Sequence, residues 1–250
     1  MRILMLNPNT TVAMTEQMVA TARGYVSADT EIVGMNGHRG VPFVASRAEA
    51  AIAAAVVLER LAELSEPVDA AVIAAFGDPG LGAAREMMDF PIVGLAEASM
   101  LTACMLGRRF SIITFNHSLG PWYRECVELH GMINRLASIR IVRGGFASVN
   151  SIRDEKEQEL LVLARAAIEE DGADVLLFGG GPLAGLAGKL RDQIEVPIVE
   201  GVAAAVLQAE TLARLKARRP AAGTYRRPPA KTSTGLTPAL ERLIGNRPAD

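Results

Sequence analysis

Short apolar runs alternate with amphipathic stretches along this chain, and most of the runs stop at a polar or glycine-bearing turn. Arg2–Leu6, Glu31–Met35, Ala70–Ala75, Pro91–Val93, Arg109–Thr114, Ile139–Val142, Val175–Phe178 and Pro197–Val199 read as strands. Helices are predicted over Val12–Arg23, Ser46–Leu64, from Pro79 to Met88, Glu97–Leu106, a segment holding Trp122, Tyr123 and Cys126, Arg153–Glu170 and Val202–Leu215. Ser46 with Glu49 three residues on has the spacing of a capping box, which fixes one helix start. Several strand runs are apolar without alternation, the pattern of strands covered on both faces. Strand and helix in turn imply right-handed βαβ units and a parallel sheet.

The pattern occurs twice. Ile3 precedes Asp69 by 66 residues and Phe110 precedes Asp174 by 64; Ala75 precedes Pro91 by 16 and Gly180 precedes Pro197 by 17. Offsets that agree at two levels predict two similar α/β halves, 1–107 and 108–210. Each is a Rossmann-like or flavodoxin-like unit with a mostly parallel sheet flanked by helices. Ligands of such sheets bind beyond the carboxyl ends of the strands, so the site is expected in the cleft between the halves.

Residues 211–250 break the pattern. Between 211 and 240 lie seven basic residues, no acidic ones and four prolines, which predicts an extended arm packed across the body or onto a neighbouring subunit. The rest of the chain gives no sign of a polyanion partner, since net charge is −2 and the pI about 6.0. No nucleic-acid or membrane partner is expected, because no apolar stretch approaches the roughly 20 residues of a span. Cys104 and Cys126 are the two cysteines; such sparse usage and the short N-terminal apolar run suit a cytoplasmic protein. Both thiols fall on predicted helices, where a small core residue is the ordinary reading.

The strand tips carry the candidate chemistry. Asn9 and Thr10 follow the first strand, and Ala75, Phe76, Gly77 and Asp78 follow the third. Thr114, Phe115, Asn116 and His117 close the fifth, and Gly180, Gly181 and Pro182 stand after the strand Val175–Phe178. Asn and Thr side chains at such tips can hydrogen-bond a ligand, although they serve equally as caps. Of the ionisable groups, His117 is the sharper candidate for a proton carrier, since an imidazole can act as acid or base, with a loop histidine that only hydrogen-bonds as its alternative. Asp78 is the other, and an Asp before Pro at a helix start is also an expected cap.

Taken in order, Asn7-Pro-Asn-Thr-Thr11, Phe76-Gly-Asp-Pro-Gly-Leu81, Pro91-Ile-Val-Gly-Leu-Ala-Glu97, Arg109-Phe-Ser-Ile-Ile-Thr114 and Val196-Pro-Ile-Val-Glu-Gly-Val202 resemble the hydantoin racemases of the aspartate/glutamate racemase superfamily. The likeness runs over essentially the whole chain, including the Lys231-Thr-Ser-Thr-Gly-Leu236 tail. It implies a pseudo-symmetric two-half fold, no cofactor or metal, and commonly a homo-oligomer. It also implies two cysteines, one at each tip, that exchange a proton on opposite faces of the substrate's α-carbon. The matching positions here are Ala75 and Gly180. The resemblance therefore implies an enolate-type reaction on a small carboxylate or hydantoin-like compound by a route without that pair. A cofactor-free lyase, as in the superfamily's arylmalonate decarboxylase, and a non-catalytic binding protein are the alternatives.

Overall fold

The computed structural model describes residues 1–144, 151–216 and 220–246. Its elements run β1 (Arg2–Asn7), α1 (Val12–Arg23), β2 (Glu31–Asn36), α2 (Arg47–Ala62), β3 (Ala70–Ile73), α3 (Leu81–Met87), β4 (Ile92–Gly94) and α4 (Leu95–Leu106). The second series is β5 (Phe110–Thr114), α5 (Leu119–Leu129), β6 (Leu136–Ile141), α6 (Ile152–Glu155), α7 (Glu157–Glu169), β7 (Val175–Phe178), α8 (Leu186–Leu190), β8 (Ile198–Val199) and α9 (Gly201–Leu215), with α10 (Pro238–Ile244) in the tail.

Two four-stranded sheets result, ordered β2-β1-β3-β4 and β6-β5-β7-β8, and every pairing is parallel. The predicted α/β fold with a repeated sheet is therefore present, and the same strand order recurs in both halves. β3 and β5 are buried throughout, as are β1 beyond Arg2 and β7 before Phe178, which is why they read as apolar runs.

The halves are not packed as separate bodies. Helix α4, which ends the first repeat, lies against β5, β7 and β8 of the second sheet as well as β4. Helix α9, which ends the second repeat, packs on β1, β3 and β4 of the first sheet, and against α1 and α4. One continuous core thus contains Met5, Val72 and Val93 together with Ile112, Leu177 and Val206. A smaller cluster under α2 and α3 holds Leu4, Leu6, Val57, Leu61 and Ile73 on the other face of the first sheet. The hydrogen bond from Thr30 Oγ1 to Glu210 Oε1, 2.6 Å, ties α9 to the loop before β2.

Three elements differ from the sequence reading. β6 begins at Leu136, earlier than the apolar cue at Ile139, because this edge strand satisfies polar positions: Ser138 Oγ lies 2.8 Å from Ser111 Oγ, and Arg140 pairs with Asp171 at 2.7 Å. The stretch 153–170 divides into α6 and α7 where Lys156 leaves helical geometry (φ −111°, ψ 10°). In the tail, 220–237 is without helix or strand, but Pro238–Ile244 folds as α10, with Thr237 capping Leu240 N–H, and packs on α2. The arm lies on the body of its own chain: Arg227 donates to the carbonyl of Met87, and Leu240 is buried.

Candidate active site

The tips of β1, β3, β5 and β7 converge on a small cavity. It is lined by Asn9, Met14, Phe43, Val44, Ala74, Ala75, Phe76, Phe115, Tyr123, Gly180, Gly181 and Pro182, and its volume is about 30 Å³, room for one or two waters. Ala75 and Gly180, the two tip positions singled out in the sequence, thus face the same space.

Each tip is shaped by backbone geometry. After β3 the chain turns through Gly77 (φ +107°), Asp78 (φ +50°) and Gly80 (φ +80°) to start α3. A Cβ on Gly77 would sit 2.5 Å from the Trp122 ring of the other half, so only glycine allows that approach. After β7, Gly180 has φ +123°, and a Cβ there would meet Phe115 Cε1 at 2.6 Å. Gly181 is similarly filled from outside, by Met14 Sδ of α1 at 2.7 Å.

Polar groups in the cavity are few. Asn9 is held by hydrogen bonds: its Oδ1 accepts from Asn7 Nδ2 at 3.0 Å and from Thr11 N–H at 2.9 Å, while its Nδ2 faces Met14 Sδ at 3.4 Å. The Tyr123 ring lies tilted against Phe76 with centroids 4.7 Å apart, and its hydroxyl bonds Thr114, whose Oγ1 donates to the Gly179 carbonyl at 2.9 Å. Burial pushes the Tyr123 phenol pKa far up, so it stays neutral.

The remaining tip residues sit elsewhere. Thr10 is exposed, with its N–H donating to Val41 O at 3.0 Å. Thr114 is fully buried behind Tyr123. Asn116 makes a local turn, accepting from Ser118 N–H at 2.9 Å, and His117 is exposed; neither lines the cavity. Asp78 is buried, with its carboxylate accepting from Ala96 N–H and Glu97 N–H, both at 2.8 Å. It therefore caps α4, not the helix that follows it in sequence, and the favourable charge at a helix N-terminus explains its seat. Gly94 permits this, since a Cβ there would lie 2.4 Å from Asp78 Cγ.

Behind the cavity lies a polar cluster that the sequence reading passed over. His130 Nε2 is 3.2 Å from Asp78 Oδ2, and Nδ1 is 3.5 Å from Glu97 Oε1; Glu97 in turn takes a bidentate pair from Arg85. Burial works against charge on His130, but contacts with Asp78, Cys126 and Glu97 outweigh it and push the imidazole up to about 11. Glu97 is held down to about 2, burial being outweighed by His130 and Arg85. Burial raises the Cys126 thiol. The legible signal was the spacing: Cys126 and His130 stand four apart on one face of the amphipathic stretch that forms α5. Cys104 and Cys126 are both free thiols, and neither lines the cavity. Met14 and Ala74 were also missed, because nothing local marks their contact with a ligand space formed by distant segments.

Residues 3–209 match the sequence pattern of the Asp/Glu/hydantoin racemase family. The hydantoin racemase of Paenarthrobacter aurescens is 35% identical over 233 residues, which cover 92% of this chain and 99% of that protein. Two crystal-structure relatives are allantoin racemases. That from Pseudomonas fluorescens superposes with a TM-score of 0.89 at 34% identity over 94% of this chain and all of that one. That from Klebsiella pneumoniae gives 0.90 at 34% identity over 96% and 98%. The repeated parallel sheet, the cleft where its tips meet and this end-to-end likeness agree, and the chain belongs to the Asp/Glu/hydantoin racemase family.

Proposed function

We propose that the cleft between Ala75 and Gly180 binds a small, uncharged hydantoin-like ring, and that it does so without racemisation by a pair of thiols. One observation carries the reading: among the described residues, those lining the cavity include no thiol, imidazole, carboxylate or cationic side chain. Asn9 and the loop amides are left to meet polar ring atoms, and Phe43, Phe76, Phe115 and Tyr123 supply apolar contact. A carboxylate would enter this site without a cation to meet it, so a neutral cyclic amide suits the lining better. With about 30 Å³ available, a ring enters only as the lining opens around it.

A lyase is the second reading, and Tyr123 favours it. Cleavage of a carbon–carbon bond generates an enolate without proton abstraction and then needs one proton. Tyr123 lines the cavity with a neutral phenol, a group that can give that proton to the enolate and then recover one from solvent.

Calorimetric titration with hydantoin and its 5-substituted derivatives, alongside proton NMR in deuterated water with an optically pure hydantoin, tests the proposal. Saturable binding with no deuterium at the α-carbon is expected. Catalytic uptake of deuterium would overturn it, as would the absence of binding across the panel. Turnover of an arylmalonate that Tyr123→Phe abolishes would favour the lyase.

A further inference from the structure

Asp78, Cys126 and His130 bring three different metal-ligand atoms together at the seam between the halves, all within 4.8 Å of one another. We propose that these residues form a zinc-type divalent metal site that clamps the β3 tip of the first half to helix α5 of the second. The reading is independent of what the cleft binds.

Four observations carry it. First, the donor set of carboxylate, thiol and imidazole matches the borderline-soft ligands zinc takes. Second, the donors are held in place by the fold: Cys126 lies in the last turn of α5, His130 four residues on is that helix's C-cap residue, and Asp78 is fixed by the Ala96 and Glu97 amides. Those amide bonds leave lone pairs on both carboxylate oxygens. Third, the His130 side chain is only 10% exposed, and its Nε2 is sealed from solvent. At 3.2 Å from Asp78 Oδ2, it approaches too obliquely for a hydrogen bond. Fourth, His130 Nδ1 faces Glu97 Oε1 at 3.5 Å, and Arg85 holds Glu97. A carboxylate behind the second ring nitrogen is the usual orienting partner of a metal-bound histidine.

The geometry needs little change. Tetrahedral zinc with these ligands spaces its donors by about 3.4–3.7 Å. With no separation above 4.8 Å, the donors close by at most roughly 1.4 Å on binding. Three protein ligands leave a fourth position for water.

The test uses the full chain stripped with a chelator and then titrated with Co²⁺, with Zn²⁺ in competition. The expected result is one ion per chain and a thiolate-to-cobalt charge-transfer band, displaced by Zn²⁺, together with a rise in melting temperature. Cys126→Ser should abolish the band, and Glu97→Gln should weaken binding by about 10–100-fold while keeping the band. Should Cys126→Ser fail to fold, alkylation of the native protein decides: Zn²⁺ should slow modification of Cys126 and leave Cys104 unchanged. Sub-stoichiometric binding, no charge-transfer band, or equal protection of both thiols would overturn the site.

Discussion

Placing a thiol at Gly180 probes the cleft more severely than any other single change. Gly180 has φ +123° and ψ 137°, a region that residues with a side chain avoid, and holding one there costs about 1–3 kcal/mol. Its Cβ would also lie 2.6 Å from Phe115 Cε1, inside a packed aromatic cluster, and such overpacking costs about 1–3 kcal/mol more. Gly180→Cys is therefore expected to lose about 2–6 kcal/mol, or about 4–24 °C of melting temperature for a chain of this size. Ala75→Cys should cost under about 1 kcal/mol, because Ala75 already carries a Cβ and is only half-buried. Urea denaturation of both variants, with far-UV circular dichroism as the signal, measures the difference. Phe115→Leu combined with Gly180→Cys should be less destabilising than the two changes added together, since the smaller side chain relieves the contact and leaves only the backbone strain. A Gly180→Cys protein within about 0.5 kcal/mol of the parent would refute the reasoning, because neither strain nor clash would then be present.

Gly94→Ala should cost about 2–4 kcal/mol by expelling the Asp78 carboxylate from the α4 N-terminus; an unchanged urea midpoint would mean that the carboxylate is not seated there. At Glu210 burial opposes charge, yet hydrogen bonds from Thr30 and Arg214 hold the carboxyl down to about 2. A depressed folded pKa means stability that is complete above about pH 4.5 and lost as pH falls toward 2. Glu210→Gln should therefore flatten stability against pH across that window. Leu240→Ala in α10 removes the one buried side chain of that helix and should lower stability by about 2–3 kcal/mol in thermal or urea unfolding.

Much of the fold was legible because parallel strands covered on both faces leave long apolar signatures. β1, β3, β5 and β7 were found that way, and Val12–Arg23 and Val175–Phe178 have the predicted bounds. What escaped was set by distance in sequence. β6 carries polar residues at two of its six positions, and its length depends on their partners at Ser111 and Asp171. The exchange of α4 and α9 between the sheets leaves no local mark, since an alanine-rich helix packs equally well on either one. In the site, the tip residues that line the cavity were readable from strand ends: Asn9, Ala75, Phe76, Phe115, Gly180, Gly181 and Pro182. Which helix Asp78 caps was not, because its amide partners lie 18 and 19 residues away.

The glycines of the cleft show why its chemistry does not change one residue at a time. Each is met by a large side chain: Gly77 by Trp122, Gly179 by Tyr123, Gly180 by Phe115 and Gly181 by Met14, all between 2.5 and 2.9 Å from where a Cβ would stand. Two of these pairs, Gly77 with Trp122 and Gly181 with Met14, cross from one half to the other, so the fit that closes the cavity also joins the halves. A side chain added at Gly180 must displace Phe115, and Phe115 lines the same cavity as Phe76, Tyr123 and Met14. Dense interiors transmit such a displacement instead of absorbing it. Ala75 already carries a Cβ and is half-buried, which makes the two tips unequal although the two sheets share one strand order. A reactive group is easily accommodated on the first tip, whereas on the second it requires the aromatic wall to be rebuilt.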